Sequence, residues 1–218
     1  MRIRAATVLL LGLLPASPLK NYCLKLAGWE VERGARIRSN IFINVRNVKL
    51  RKHAEIRAFN VFRNISLEVG ENSIIGSFNW IGAASGLSSL SNFRGLLSLG
   101  CHSAINSRNY FDVSGGVYFG DFTDLAGVRS TIITHQIDMK SSTQSCNSVN
   151  IGSHTMICSN SVLVPGGTKI GDRCLFAMGS LIRSGEYPSD GFYAGAPAEY
   201  KKPSSGSWFV RKVGRTTT

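Results

Sequence analysis

Ile151-Gly152-Ser153-His154-Thr155-Met156, Ile157-Cys158-Ser159-Asn160-Ser161-Val162 and Leu163-Val164-Pro165-Gly166-Gly167-Thr168 are three consecutive hexads. After one extra residue, Lys169, the count resumes as Ile170-Gly171-Asp172-Arg173-Cys174-Leu175 and Phe176-Ala177-Met178-Gly179-Ser180-Leu181, and reaches Ile182. An aliphatic or aromatic residue opens each hexad, and Gly or another small residue usually follows. A helical face repeats near 3.6 residues and a half-buried strand near 2, so neither explains a beat of six. Short internal repeats point instead to a solenoid of stacked coils. A strand residue advances about 3.3 Å, so six residues make one flat side with its corner, and three sides close a coil. The opening residues then point inward and pile into columns, while Gly, Asn, Asp and Ser tolerate the tight corners.

The beat extends upstream. Ile37 and Ile43 are six apart, as are Leu50 and Ile56, and Val69, Ile75 and Ile81 are each followed by Gly. It breaks over the Ser- and Gly-rich residues 83–98, returns at Leu99, Ile105 and Phe111, slips through Ser114-Gly115-Gly116, and resumes at Phe119 and Leu125. A second break covers about 134–150, and Gly185 to Pro188 turns the chain away after the last hexad. This divides the chain into an N-terminal helical and basic extension (1–33), a solenoid domain (34–184) with loops near 83–98 and 134–150, and a C-terminal segment (185–218). Trp208-Phe209-Val210 in that basic, small-residue-rich tail is expected to dock on the body.

Charged residues are sparse (17 %) and Gly is abundant (23 of 218), as in a folded, turn-rich β protein. The five cysteines contain no C-x-x-C pair, which argues against a disulfide framework or zinc knuckle and for a reducing, cytoplasmic compartment. Residues 1–63 hold 13 Lys/Arg against three acids, whereas the remainder is nearly neutral. A basic end on a neutral body suits an anionic surface such as lipid headgroups or a phosphate-bearing substrate. Nucleic acid is not expected, because no recognition-helix or RNP-like pattern accompanies the charge.

The apolar run Ala5 to Leu14 has about half the length that a bilayer-spanning helix needs. With Arg2, Arg4 and Pro15-Ala16-Ser17 it shares features with a secretory signal. Against removal, Ser17-Pro18 reads as an N-cap and first helical position. Leu19, Tyr22, Cys23 and Leu26 then fall on one helical face, leaving Lys20, Asn21 and Lys25 outside, with Gly28 as a stop. The expectation is two retained short helices that cover the solenoid's end or lie on a membrane surface.

The run Ile151 to Ile182, with Val164-Pro165-Gly166 before Ile170-Gly171-Asp172 and Gly179-Ser180 before Leu181-Ile182, resembles the hexapeptide-repeat acyltransferases. Ala194-Gly195-Ala196-Pro197-Ala198 followed by Lys201-Lys202 matches that family's closing segment. Asp112, Val117 to Asp121 and Thr134-His135 match in order and approximate spacing. The resemblance covers residues from about 35 to 202. It implies an all-β fold, a left-handed parallel β-helix; coil spacing alone would leave the usual right-handed crossover in place. It further implies an O-acyltransferase, an acetyltransferase in the first instance, acting with acetyl-CoA on a sugar hydroxyl in saccharide or surface polysaccharide synthesis. Active sites between the subunits of a homotrimer are also implied. The alternatives are an N-acetyltransferase on a nucleotide-linked amino sugar and a non-catalytic β-helix binding module. A serine-acetylating branch lacks support, since its long helical N-terminal domain is missing. A zinc hydratase lacks its closely spaced histidine pair, so no metal is expected.

The resemblance makes His135 the general base, placed where the ladder stops and a loop leaves the scaffold. Asp138, a neighbour in sequence, or a backbone carbonyl could orient its second nitrogen, and Asp138 is also expected near the acceptor. Asn106 and Asp112 align with acceptor-binding positions, with Asn109 competing for the Asn106 match. Ser159, Asn160, Gly179 and Ser180 are expected along the acyl-CoA, and Arg183, Lys201 and Lys202 at its phosphates. The extra residue at Val164 to Lys169 and the displaced basic residue at Arg183-Ser184-Gly185 depart from the family pattern on that wall. His102 and His154 read as corner or surface residues, with His154 a further option for a neighbouring subunit's acyl-CoA groove. His53 belongs to a basic stretch.

Overall fold

In the computed structural model, which describes residues 2–213, the hexads form strands of two to five residues on three faces of a prism. Among the described residues the first face holds eight strands, from Glu30–Val31 to Gly185–Tyr187. The second holds nine, from Arg36–Ile37 to Glu199–Pro203, and the third seven, from Ile41–Ile43 to Leu181–Ile182. Strands within a face pair in parallel with the coils above and below, except that Glu199–Pro203 returns antiparallel on Gly191–Ala194. The architecture is an all-β left-handed parallel β-helix with a helical N-terminal extension. Its first coil starts at Glu30, ahead of the expected residue 34, and it continues past residue 184. Gly185–Tyr187 and Gly191–Ala194 add a further turn where the sequence suggested the chain would leave.

The hexad openers are the core. Phe119 lies in register between Leu99 and Ile151, Leu125 between Ile105 and Ile157, and Ile132 between Phe111 and Leu163; all are buried. Each contributes about 1.5–3 kcal/mol by leaving water. The small residue after the opener has a steric cause: a Cβ on Gly120 would sit 2.7 Å from the Ser153 nitrogen of the next coil. Corner polar groups are satisfied from coil to coil. Asn60 Oδ1 accepts the Asn79 N–H at 2.9 Å, Asn79 Oδ1 accepts the Asn109 N–H at 2.9 Å, and Asn109 Oδ1 accepts the Ser130 N–H at 2.9 Å. The ladder is buried, and these hydrogen bonds offset the desolvation cost that lone amides would carry.

Helix α1 (Arg2–Leu13) and helix α2 (Pro18–Leu26) close the first coil. Val8 and Leu24 join the same core as Trp29 and Phe42, whose rings meet edge-on at 5.0 Å. Ser17 caps α2 by accepting the Lys20 N–H at 3.1 Å, and Pro18 follows it. The face of α2 is the reverse of the one its apolar spacing predicts. Lys20 is 1 % exposed, while Leu19, Tyr22 and Leu26 are 70 %, 60 % and 72 % exposed. The cause lies in the end of α1, whose last carbonyls have no helical donor. The Lys20 ammonium supplies three: Nζ donates to Gly12, Leu14 and Arg38 carbonyls at 3.0, 2.7 and 2.9 Å. Burial pushes this amine down to about 8.

The C-terminal segment folds back against the middle coils, where Phe209 is 9 % exposed and Arg211 lies 3.7 Å from the centre of the Trp208 ring. Arg211 also pairs with Asp124 at 3.2 Å. Val210, by contrast, is exposed, and residues 214–218 of the basic tail lie outside the described residues. Burial raises Asp124 to about 6, against a smaller lowering by Arg211. A carboxyl raised from 3.8 to about 6 binds more protons folded than unfolded, so its contribution is full below pH 4 and is lost as pH rises through 6. Stability should therefore fall by on the order of 3 kcal/mol between those limits from this group. In Asp124→Asn, urea unfolding across the same range should lose that slope.

Candidate active site

Departures from the count of six gather at one corner, between the third and first faces. Residues 83–95 leave there after Trp80–Gly82 and carry a short turn, Ser85–Leu87. A hairpin leaves there after Thr131–Ile132, pairing His135–Asp138 antiparallel with Thr143–Cys146. The extra residue of the late hexads forms the next corner up, where Gly166 and Gly167 adopt φ of +122° and +88°. A solenoid tolerates such insertions at corners because each coil needs only its neighbours.

His135 opens the hairpin. Its Nδ1 is buried and lies 2.9 Å from Asp112 Oδ1, a close contact that falls short of a linear hydrogen bond. Such contacts commonly tighten only when substrate binds. The His135 side chain remains 36 % exposed through its other atoms, while that of Asp112 is only 8 % exposed. Asp112 is held from its own coil and from the one above. Ser114 Oγ donates to its Oδ2 at 2.9 Å, and Thr134 Oγ1 donates to its Oδ1 at 2.8 Å. Gly115 N–H in turn donates to Thr134 Oγ1 at 2.9 Å. Asp112 closes a third-face strand, and Thr134 follows the strand stacked upon it, so one coil presents the carboxylate and the next the imidazole.

Asp138, expected beside His135, does not reach it as an orienting partner. Residues three apart on a strand point to opposite sides, and its carboxylate instead accepts the Lys140 and Ser141 N–H groups at 2.8 and 3.3 Å. Cys146 faces His135 in the hairpin register. Burial, and then the charge of Asp112, push its thiol up, so it is unsuited to act as a nucleophile. The two insertions meet beside this pair: the Ala84 N–H donates to Ser114 Oγ at 2.9 Å and the Arg94 N–H to the Ser114 carbonyl at 2.7 Å. Between them lies a cavity of about 400 Å³ whose lining includes Asn92, Arg94, Tyr118, Cys146, Asn147 and Asn150. Residue spacing gave no signal for Arg94, Tyr118 or Asn150, which come from three coils.

The other expected site residues occupy different corners. Asn106 is exposed at the corner between the second and third faces, away from His135, and Asn109 belongs to the buried ladder. Ser159, Asn160 and Gly179 share that corner with Asn106, the Gly179 N–H donating to the Ser159 carbonyl at 2.9 Å. Ser180 is 1 % exposed and its hydroxyl donates to the Ala177 carbonyl at 2.7 Å, so its side chain is not free for a ligand. Arg183 sits at the His135 corner, where the Tyr187 hydroxyl engages its backbone. Lys201 pairs with Glu199 at 3.2 Å, and Lys202 lies 5.8 Å from the Phe192 ring centre on the last antiparallel strand. Sequence reasoning missed Arg108 and Arg129, two guanidinium-bearing residues on successive coils at the Ser159 corner, joined by an Arg129 N–H to Arg108 carbonyl bond at 3.0 Å. His102 and His154 sandwich the Phe122 ring at 4.8 and 4.7 Å, which makes them corner packing. Burial first, then Arg211, lower the His154 pKa. Among the described residues no group of three or more His, Cys, Asp or Glu could hold a metal ion.

This architecture is that of the hexapeptide-repeat acyltransferases. A maltose O-acetyltransferase from Clostridium difficile 630 shares it with a TM-score of 0.52 and 19 % identity, over 64 % of this chain and 70 % of its own. AntD, an N-acyltransferase from Bacillus cereus in complex with dTDP and 3-hydroxybutyryl-CoA, gives 0.55 and 17 % over 76 % and 83 %. A hexapeptide-repeat-containing acetyltransferase from Vibrio cholerae O1 biovar eltor, complexed with acetyl coenzyme A, gives 0.50 and 19 % over 63 % and 70 %. At these identities the likeness is one of fold. No family model matches the chain, and no curated protein matches it in sequence.

Proposed function

We propose that the chain is an acyl-CoA-dependent O-acyltransferase, most simply an acetyltransferase, acting on a saccharide hydroxyl in saccharide or surface polysaccharide synthesis. The observation that carries this reading is the His135–Asp112 pair beside a polar cavity at the corner where two insertions meet. Asp112 fixes the ring through Nδ1, which leaves Nε2 for the acceptor. Nε2 takes the hydroxyl proton as the oxygen attacks the thioester carbonyl of acetyl-CoA. The tetrahedral intermediate expels the CoA thiolate, the imidazolium returns the proton to sulfur, and the acetyl ester remains on the sugar. Asn147 and Asn150 supply donors and acceptors, and Tyr118 a ring, for a sugar in the cavity.

The acyl-CoA fits the opposite corner. Gly179 has open space where a Cβ would stand, Ser159 and Asn160 are small and polar, and Arg108 and Arg129 supply guanidiniums for phosphates. The outer side of the third face, between the two corners, exposes Ile41, Trp80, Tyr110 and Val162. Packing that apolar face on a second copy would bring one subunit's His135 corner to another's arginine corner, which supports a homotrimer with intersubunit sites. Trp80→Glu should therefore give monomers by light scattering and lose transfer activity while keeping its β-sheet circular dichroism.

The deciding experiment incubates the protein with acetyl-CoA and a panel of sugars and follows thiol release and a gain of one acetyl mass. Transfer to hydroxyl acceptors is expected; absence of transfer to any hydroxyl or amine would overturn the proposal. The Arg94 side chain on the cavity rim favours a phosphate-bearing acceptor. This keeps a second reading, N-acetylation of a nucleotide-linked amino sugar, which the amine arm of the panel separates.

A further inference from the structure

The end of the solenoid is capped by two helices that bury Lys20 and Leu24 and expose most of their other leucines. Leu10, Leu13, Leu14, Leu19, Tyr22 and Leu26 are 66 %, 52 %, 49 %, 70 %, 60 % and 72 % exposed. The helices run antiparallel: Lys20 near the start of α2 bonds the Leu14 carbonyl at the end of α1, and Arg4 and Thr7 share a groove with Cys23, Leu26 and Gly28. That groove is mostly apolar, open and about 670 Å³ in volume. The arrangement is not a loose packing that could close by rolling α2, because all three Lys20 N–H donors are engaged on three carbonyls. Six large apolar side chains left in water on two packed helices and the turn between them, beside an apolar groove, mark an interaction site.

Its surroundings identify the occupant. Arg4 and Lys25 on the helices, and Arg33, Arg36, Arg38 and Arg46 on the first coil, are exposed around it. Arg38 pairs with Glu55 at 3.2 Å. The helices have 12 and 9 residues, and no described helix is long and apolar enough to cross a membrane. Short helices with outward leucines rimmed by basic side chains suit the headgroup boundary of an anionic bilayer, with the apolar face in the acyl region and the arginines at the phosphates. We infer that the N-terminal helical hairpin is a docking surface for an anionic phospholipid bilayer. It holds by insertion of the Leu10, Leu14, Leu19, Tyr22 and Leu26 face as well as by charge. The surface is separate from the His135 corner, so docking does not depend on the acyl-transfer reading.

The test is co-sedimentation with equimolar phosphatidylcholine and phosphatidylglycerol vesicles, beside phosphatidylcholine vesicles alone. The full chain is expected to sediment with the anionic vesicles and to retain part of that binding at high salt. Combined Leu10→Ser, Leu19→Ser and Leu26→Ser should weaken it at least about tenfold with unchanged melting and oligomer mass. Tyr22→Trp should gain emission that brominated acyl chains quench, which reads insertion without disturbing the leucines. A wild-type chain left in the supernatant with anionic vesicles would overturn the inference. So would a triple serine variant that binds as well as wild type, or one whose oligomer mass falls, since a second copy would then be the occupant. His135→Ala should bind vesicles as wild type does. A chain that docks but transfers no acyl group would sink the proposed reaction and leave the docking surface standing; one that transfers but does not dock would do the reverse.

Discussion

His135→Ala is expected to lower acyl transfer by about 10²- to 10⁴-fold, the range a positioned general base supplies. The side chain is 36 % exposed but its Nδ1 lies against the buried Asp112 carboxylate, so unfolding stability should fall by only about 1 kcal/mol. The loss should appear in kcat, with the KM for acetyl-CoA nearly unchanged, because the arginine and glycine corner proposed for that substrate is intact. Initial-rate lines should intersect for both wild type and variant, since direct transfer forms no acyl-enzyme. Retention of more than about a tenth of the wild-type rate would remove His135 from the role of base.

Asp112→Asn is the second large effect, on the order of 10²-fold or more in kcat by comparison with other carboxylate–imidazole pairs. The amide fills the same space, and the Ser114 hydroxyl, now 2.9 Å from Oδ2, can rotate to accept instead of donate. What is lost is the negative charge that stabilises an imidazolium at Nδ1. Asp112→Ala separates geometry from charge. It leaves the buried Ser114 hydroxyl without its acceptor, while the Thr134 hydroxyl keeps the Asp112 backbone carbonyl at 3.0 Å, and should cost about 1–3 kcal/mol of stability as well. An Asn variant with full activity would make Asp112 only a strut for the corner.

The contrast between Asp112 and Asp138 shows what the sequence makes legible. The hexad columns are written residue by residue, because each opener must meet its counterparts in the neighbouring coils, and Ile105, Leu125 and Ile157 do so. The corner where function concentrates is legible as a break in the count. The partner of His135 is not, because it is set by coil stacking. Asp112 is 23 positions away yet one coil below, whereas Asp138 is three away and on the opposite side of the strand. The same limit applies at α2. Periodicity identifies which residues share a helical face, but not which face turns inward, and two carbonyls at the end of α1 with a third on the first coil decided that in favour of Lys20. Arg108 and Arg129 escaped notice for a related reason, since lone arginines acquire meaning only when corners align them.

Stacking also makes the prism a measuring stick. From Ile41–Ile43 to Thr131–Ile132 the third face climbs four strand spacings, about 19 Å at about 4.8 Å each. The imidazole therefore stands at a height above the helical cap that is counted in coils. Deleting or adding one coil before residue 66 would move it by a single strand spacing, about 4.8 Å, with the insertion at 83–95 that lines its cavity retained. The length of the repeat array is thus a distance that selection can tune independently of the chemistry.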